Sequence, residues 1–485
     1  MAKKRFALGG TGLRAIRFRT PLVLAGDPLV AEIACEPTAT KAATHLMIRT
    51  LALVFSFGTA LLSHGADRPP NIIMILADDM GWADLGADGS RIDTPNLDRL
   101  AKEGVKLTRF YASAPMCSPT RAALLTGRYP HSVNMPELAS KQVRGNVPLL
   151  SLAHAAVTIP EALKPARYRS VVVGKWHLGF EPKDFPRHHG FDEFWGSLLG
   201  TPNFWQPQET YHNDQPMQIP VATHFTDALT DKAVEYIRAQ RGSDQPLFMY
   251  LAYNAPHYPL EAPASLVSKY RRRFPERGLF AIYAAMVEQL DAGIGRVLAA
   301  LQDPSLAENT LVIFTSDNGP SAELSSYGPE GAEYSNGPLR EYKFSTHEGG
   351  LRVPFLAQWP GKIPAGTVRD APAITMDLLP TFLEAARVKP AEGHEIHGTS
   401  ILPLLTGAQF ARSGALHWET SNNAAVLHGE WKLVHQYWRV PELYRVSEDI
   451  SETNDLAPTN PQKVAELLAL HDQWKARHYL NPVPR

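Results

Sequence analysis

Four short apolar runs in this chain of 485 residues each stop abruptly at polar or charged residues, and no other feature limits the possible folds so tightly. Asn71-Ile-Ile-Met-Ile-Leu-Ala77 ends in Asp78-Asp79, and Ser170-Val-Val-Val173 ends in Gly174-Lys175-Trp176-His177. Leu247-Phe-Met-Tyr-Leu-Ala252 runs into Asn254-Ala-Pro-His257, and Thr310-Leu-Val-Ile-Phe314 into Thr315-Ser316-Asp317-Asn318-Gly319. Unbroken apolar runs of this length suit strands covered on both faces. Helical spacing over Pro95–Glu103, behind a Thr94 cap, and over 226–239 and 282–301 puts helices between them. Strands alternating with helices predict an α/β sheet flanked by helices. The polar residues then fall at the C-terminal strand ends, where open α/β sheets bind ligands.

Cysteine usage narrows the chemistry. The chain has two cysteines, Cys35 and Cys117. Met47-Ile-Arg49-Thr, the apolar run 51–62, and small residues at Ser63 and Gly65-Ala66 form the pattern of a secretion signal over 47–66. The run is too short to span a membrane, and the lack of a following cysteine argues against a lipid anchor. Residues 1–46 carry seven Lys/Arg against three Asp/Glu without clear periodicity and read as a non-native upstream extension. Cys117 is then the one cysteine of an exported chain, unable to form an internal disulfide and worth attention as a reactive group. Pro119 suits a first helical turn and Gly127 a helix end, so Cys117 is expected at a helix N-terminus, where N–H groups attract anions. Arg121 follows on the same helical face. A thiolate is one reading of such a site.

Bulk charge excludes one partner class. Lys+Arg of 48 against Asp+Glu of 49 leaves a net charge of −1, which does not favour nucleic acid. An apolar content of 44% supports a large core. The length beyond the signal fits two domains, expected as 67–407 and 408–485. In the second, 415–419, 424–428, 431–435 and 442–446 read as short antiparallel strands and 461–478 as a helix, making a small α+β unit.

Cys117-Ser118-Pro119-Thr120-Arg121, followed by Ala-Ala-Leu-Leu-Thr-Gly127-Arg128, resembles the signature of the type I sulfatases. The four polar strand tips, the Lys343-Phe-Ser-Thr-His-Glu-Gly-Gly segment and Glu442-Leu-Tyr-Arg-Val-Ser-Glu-Asp resemble that family too. The spacing around 335–343 is similar to its arylsulfatase and N-acetylgalactosamine-6-sulfatase branch, with Glu341 where glycine is expected. The resemblance implies an alkaline phosphatase-like catalytic domain with a large mixed β-sheet. It implies one calcium ion held by Asp78, Asp79, Asp317, Asn318 and residue 117, and an all-oxygen set of this kind does prefer a hard cation. It further implies conversion of Cys117 to formylglycine by a maturation enzyme. The aldehyde's hydrate then supplies one hydroxyl to attack sulfur and another to expel sulfate.

The same resemblance assigns the remaining site residues. Arg121 is expected to hold the hydrate, and Lys175 and Lys343 to contact sulfate oxygens. His257 is expected to protonate the departing alcohol, shared with Lys343, and His177 to take the proton when sulfate leaves. The implied activity is hydrolysis of sulfate monoesters, on a carbohydrate, by a secreted or periplasmic enzyme without a stable membrane anchor. A phosphonate or phosphate ester hydrolase of the same superfamily is the nearest alternative. A non-catalytic binding protein with unmodified Cys117 is the other. Specificity is expected in 180–220 and 321–342, where Trp195, Phe204 and Trp205 could stack on a sugar. The Gly349-Gly350 pair reads as a close backbone approach.

Overall fold

The computed structural model describes residues 68–141, 149–321 and 335–480. The segments expected as an upstream extension and a secretion signal, 1–46 and 47–66, lie outside the described residues. A ten-stranded mixed sheet forms the centre. Thr310–Ser316, Asn71–Ala77, Leu247–Ala252 and Arg169–Lys175 lie side by side in that order and run parallel. Outside them, Phe355–Gln358 is antiparallel to Thr310–Ser316, whereas Glu193–Ser197 continues parallel beside Arg169–Lys175. All four apolar runs are therefore strands, and neighbours. Two extend beyond expectation: the 170–173 run reaches Lys175 and the 310–314 run reaches Ser316.

Burial on both faces explains the unbroken apolar runs. Ile72, Met74 and Leu76 face one core with Val172, Phe248, Tyr250 and Ile313. Ile73, Ile75 and Ala77 face another with Val171, Met249, Leu251 and Phe314. Each large apolar side chain withdrawn from water in this way contributes roughly 1.5–3 kcal/mol. The helices Pro95–Glu103, Phe225–Ala239 and Gly278–Ala300 cover the second face; Cys117–Thr126 and Leu378–Ala385 cover the first. Gly278–Ala300 begins four residues before the spacing predicts, and Thr94 does not cap its helix. The Thr94 hydroxyl donates to Asp98 and accepts from the Gly86 N–H instead. Among the described residues no helix is long and apolar enough to cross a membrane.

A second sheet of four antiparallel strands, Leu416–Glu419, Asn423–His428, Trp431–Gln436 and Glu442–Arg445, follows the main one, and helix Pro461–Leu480 closes the described chain. Its alternating side chains divide between two cores. Ala425, Leu427, Val434 and Tyr444 pack with Tyr111, Ala123, Tyr129 and Leu351 of the larger sheet's surroundings. Val426, Leu433 and Leu443 pack with Leu467 of the last helix. Fully buried Lys432 crosses the seam, pairing with Glu348 at 2.8 Å and Glu452 at 2.9 Å. Glu348 also accepts from Tyr111 and pairs with Arg352. It opens the turn five residues after Lys343, so the small sheet braces the segment carrying that lysine. Lys432→Ala would leave buried Glu452 without its cation and Glu348 with Arg352 alone. It should destabilise the protein by about 3–5 kcal/mol in denaturant unfolding, and an unchanged midpoint would contradict the brace.

Candidate active site

The four parallel strands bring their tips to one edge because their registers match. Leu76 pairs with Ala252, Ala77 with Ser316, and Gly174 with Ala252. Asp78-Asp79, Asp317-Asn318, Lys175-Trp176-His177 and Asn254 to His257 therefore emerge together. Cys117 reaches them from the first residue of a ten-residue helix, every residue of which is buried. Met116 precedes it in extended conformation, and Gly127 ends it at φ 65°. Asp79 is itself left-handed at φ 66°, a conformation short polar side chains tolerate. Its N–H donates to Asp317 Oδ1 at 3.2 Å, and its carbonyl accepts from Tyr283 at 3.2 Å.

Three buried carboxylates face three buried cations. Arg121 donates to Asp317 Oδ2 through Nε at 3.0 Å and Nη2 at 2.7 Å, with Asp78 at 3.6 Å. Lys175 Nζ pairs with Asp78. Lys343 Nζ grips Asp79 at 2.6 and 2.9 Å, and lies 3.2 Å from Cys117 Sγ and 3.1 Å from His257 Nε2. The Cys117 thiol donates to Asp78 Oδ1 at 3.4 Å. Burial pushes the Asp78 and Asp79 carboxyls up, but the neighbouring cations outweigh it and hold both below the usual range.

Burial, reinforced by Asp317 and Asp78, pushes the Cys117 thiol well above its ordinary value despite Lys175 and Lys343. The helix N-terminus and Arg121 suit an anion in the abstract; here Arg121 is engaged with carboxylates instead. The cysteine is buried, as free cysteines often are, yet among charges rather than in grease.

The residues fit a hard cation. Asp78, Asp79, Cys117 and His257 have ligand atoms within 4.8 Å of one another. Asn318 donates to Asp79 at 2.7 Å, while its own Oδ1 is buried without a partner. An orphaned amide oxygen beside clustered carboxylates is what a divalent ion with oxygen ligands would satisfy. Asp317 stands one step aside, with Oδ2 given to Arg121.

A cavity of about 750 Å³ opens above this cluster. Cys117, His177, His257 and Lys343 line it; Asp78, Asp79, Arg121, Lys175, Asp317 and Asn318 do not, and are buried. His177 places Nε2 3.2 Å from the Ala139 carbonyl and leaves Nδ1 buried and unpartnered. Burial, with Lys175 and Arg121 nearby, holds its pKa far below normal, so the ring is neutral. His257 donates Nδ1–H to the Tyr258 carbonyl at 2.5 Å, which turns the Nε2 lone pair toward Lys343.

The rim contains residues the sequence did not reveal. Lys141, Phe344 and the 420–423 turn of the small sheet line the cavity, beside Phe180 of the expected 180–220 segment. No motif marks that turn, since about 300 residues separate it from Cys117 and only the fold joins them. Phe344 adjoins Lys343 in the quoted segment, and that adjacency was the available signal. Trp195 and Phe204 pack against Phe225 and His224 rather than facing the cavity, and Trp205 sits edge-on to His224. Glu341 is left-handed at φ 64°, which accounts for glycine being expected there. Added Cβ atoms at Gly349 and Gly350 would meet carbonyl oxygens of Glu341 and Ser345 at 2.1 and 2.0 Å, the close approach anticipated for this pair.

Comparison with known proteins identifies the family. The Sulfatase family model matches residues 70–388, and the model "N-sulphoglucosamine sulphohydrolase, C-terminal" matches 342–477. The chain is 37% identical to N-acetylgalactosamine-6-sulfatase of Canis lupus familiaris over 415 residues, 80% of this chain and 76% of that one. It is 36% identical to human arylsulfatase A over 398 residues, 74% of this chain and 71% of that one. Among solved structures, Ps i-CgsB in complex with k-i-k-neocarrahexaose superposes with a TM-score of 0.77 at 32% identity, covering 86% of this chain and 94% of that one. Strand order, clustered tips and sequence converge: the chain belongs to the type I sulfatase family and is a sulfuric ester hydrolase.

Proposed function

We propose that this protein removes sulfate from sulfated carbohydrate by means of a formylglycine made from Cys117 and one bound calcium ion. The observation that carries the proposal is the placement of residue 117. It sits at a helix N-terminus on the cavity floor, between Lys343 and Asp78, with three buried carboxylates and an unpartnered amide oxygen beneath. Asp78, Asp79, Asp317 and Asn318 would hold the cation, which supplies fixed positive charge against sulfate oxygens. The aldehyde, as its hydrate, supplies an oxygen nucleophile and a second hydroxyl through which sulfate is released.

This chain's own residues position and move protons. Lys343 offers an ammonium group to an anionic ester at the cavity floor, and Lys175, buried on Asp78, adds positive charge from beneath. Arg121 braces Asp317 and lies under residue 117. His257 Nε2 accepts from Lys343 Nζ at 3.1 Å, so the proton for the leaving oxygen would come from that ammonium and pass through Nε2. Burial holds the His257 pKa below its ordinary value, and Asp79 Oδ2, 3.5 Å away, opposes that in part. His177 has the complementary equipment. With Nε2–H on a carbonyl and Nδ1 free, the neutral ring accepts a proton at Nδ1. Sulfated glycans are the proposed substrates because the relatives named above include an N-acetylgalactosamine-6-sulfatase and a protein solved with a carrahexaose. The proposal includes a maturation enzyme acting on Cys117 and delivery to the periplasm or exterior, supported by the 47–66 sequence pattern.

Three outcomes test it. Cys117→Ala should reduce aryl sulfate turnover to background without loss of fold, and mass analysis of the wild-type Cys117 peptide should find aldehyde or hydrate. A thiol on active enzyme would exclude this mechanism. Asp317→Ala should lose bound calcium in metal analysis together with activity, because the remaining carboxylates no longer complete the site; a full calcium complement would remove Asp317 from the ligand set. His257→Ala should slow alkyl sulfates by about 10²–10⁴-fold and activated aryl sulfates far less. Equal losses on both would assign His257 to something other than leaving-group protonation.

A further inference from the structure

Phe344 is an anomaly that the chemistry described so far does not use. Its backbone is left-handed at φ 73°, where a bulky side chain is disfavoured. The residue is 48% exposed, so little core packing offsets that strain. The conformation is nonetheless pinned, by its N–H on the Pro115 carbonyl at 2.8 Å and its carbonyl near Asn423 Nδ2 at 3.4 Å. Among the described residues, it is the one exposed large apolar side chain that lines the catalytic cavity. The ring centre lies 5.7 Å from Lys343 Nζ. Strain fixed at a reaction site, with little packing return, points to a ligand contact.

The geometry points to Phe344 as the stacking platform for the ring that carries the sulfate ester, a specificity-determining residue. This rests on the sulfatase reading of the site. An aromatic face next to the ammonium that meets the sulfate suits a pyranose, whose C–H face is apolar while its edge is polar. The polar edge has partners on the same rim: Thr420, Asn422 and Asn423, the last with a buried, unpartnered Oδ1. The platform therefore selects sulfated cyclic sugars over ring-free sulfate esters.

The test compares ring binding with sulfate binding in the full-length enzyme. KM is measured for N-acetylgalactosamine 6-sulfate and for an aryl sulfate, whose ring would stack in the same way. Competitive inhibition by inorganic sulfate, which has no ring, gives the reference. Phe344→Ala should raise KM roughly tenfold, the scale of one aromatic stacking contact, with kcat and the sulfate inhibition constant held. Phe344→Tyr should retain the wild-type KM. Phe344→Gly, which relieves the backbone, should match Ala and rules out misfolding as the cause. Unchanged KM in both truncations would overturn the platform, and so would KM and the sulfate constant rising together, since that reports a distorted loop. Wild-type enzyme inert toward every sulfate ester would overturn the sulfatase reading instead.

Discussion

Three carboxylates and three cations held out of water at one sheet edge set the terms for the rest of the molecule. Desolvating such groups is expensive, and each is tolerable only because a partner of opposite sign lies within hydrogen-bond reach. Asp317 answers Arg121, Asp78 answers Lys175, and Asp79 answers Lys343. The six residues come from five separate places in the chain. Parallel strands in matched register provide that convergence, and two apolar cores, one on each face, keep the strands rigid enough to maintain it.

The small sheet is part of this machinery rather than an appendage. Lys432 holds Glu348, and Glu442 receives both Arg340 and His347, on either side of Lys343. The turn at 420–423 supplies cavity rim. The lysine that touches Asp79, Cys117 and His257 is thus fixed from behind by residues some hundred positions later in the chain. Catalytic geometry and the C-terminal elements are mechanically one object.

Much of this was legible in the sequence, for definite reasons. The central strands announced themselves because burial on both faces leaves no polar residue inside them, and their ends because polarity returns at once at Asp78, Lys175 and Asn254. Helix Cys117–Thr126 was readable from Pro119 and Gly127. Local rules failed where tertiary contacts prevailed. Thr94 spends its hydroxyl on Asp98 and Gly86, and Gly278–Ala300 gains a turn by packing Phe280 and Ala281 into the core. The raised pKa of Cys117 was not readable, since it depends on burial and then on Asp317 and Asp78, which no local pattern connects to it. The 420–423 rim and the Lys432 brace depend on strand pairing across the second sheet, and periodicity does not encode which surfaces meet.

Strand Asn71–Ala77 sits at the middle of the sheet, yet the neighbours that complete it begin at Leu247 and Thr310. Asn71 and Thr310, which pair directly, are 239 residues apart. At synthesis rates of about 5–20 residues per second, the first strand waits on the order of ten to fifty seconds for its second neighbour. Through that interval this seven-residue apolar strand has unpaired backbone on at least one side, a hazard for aggregation in a freshly made chain. The same delay leaves Cys117 open to large molecules, whereas closure of the sheet shuts it in. Topology therefore sets a timetable: a large molecule can reach Cys117 only while the protein is unfinished.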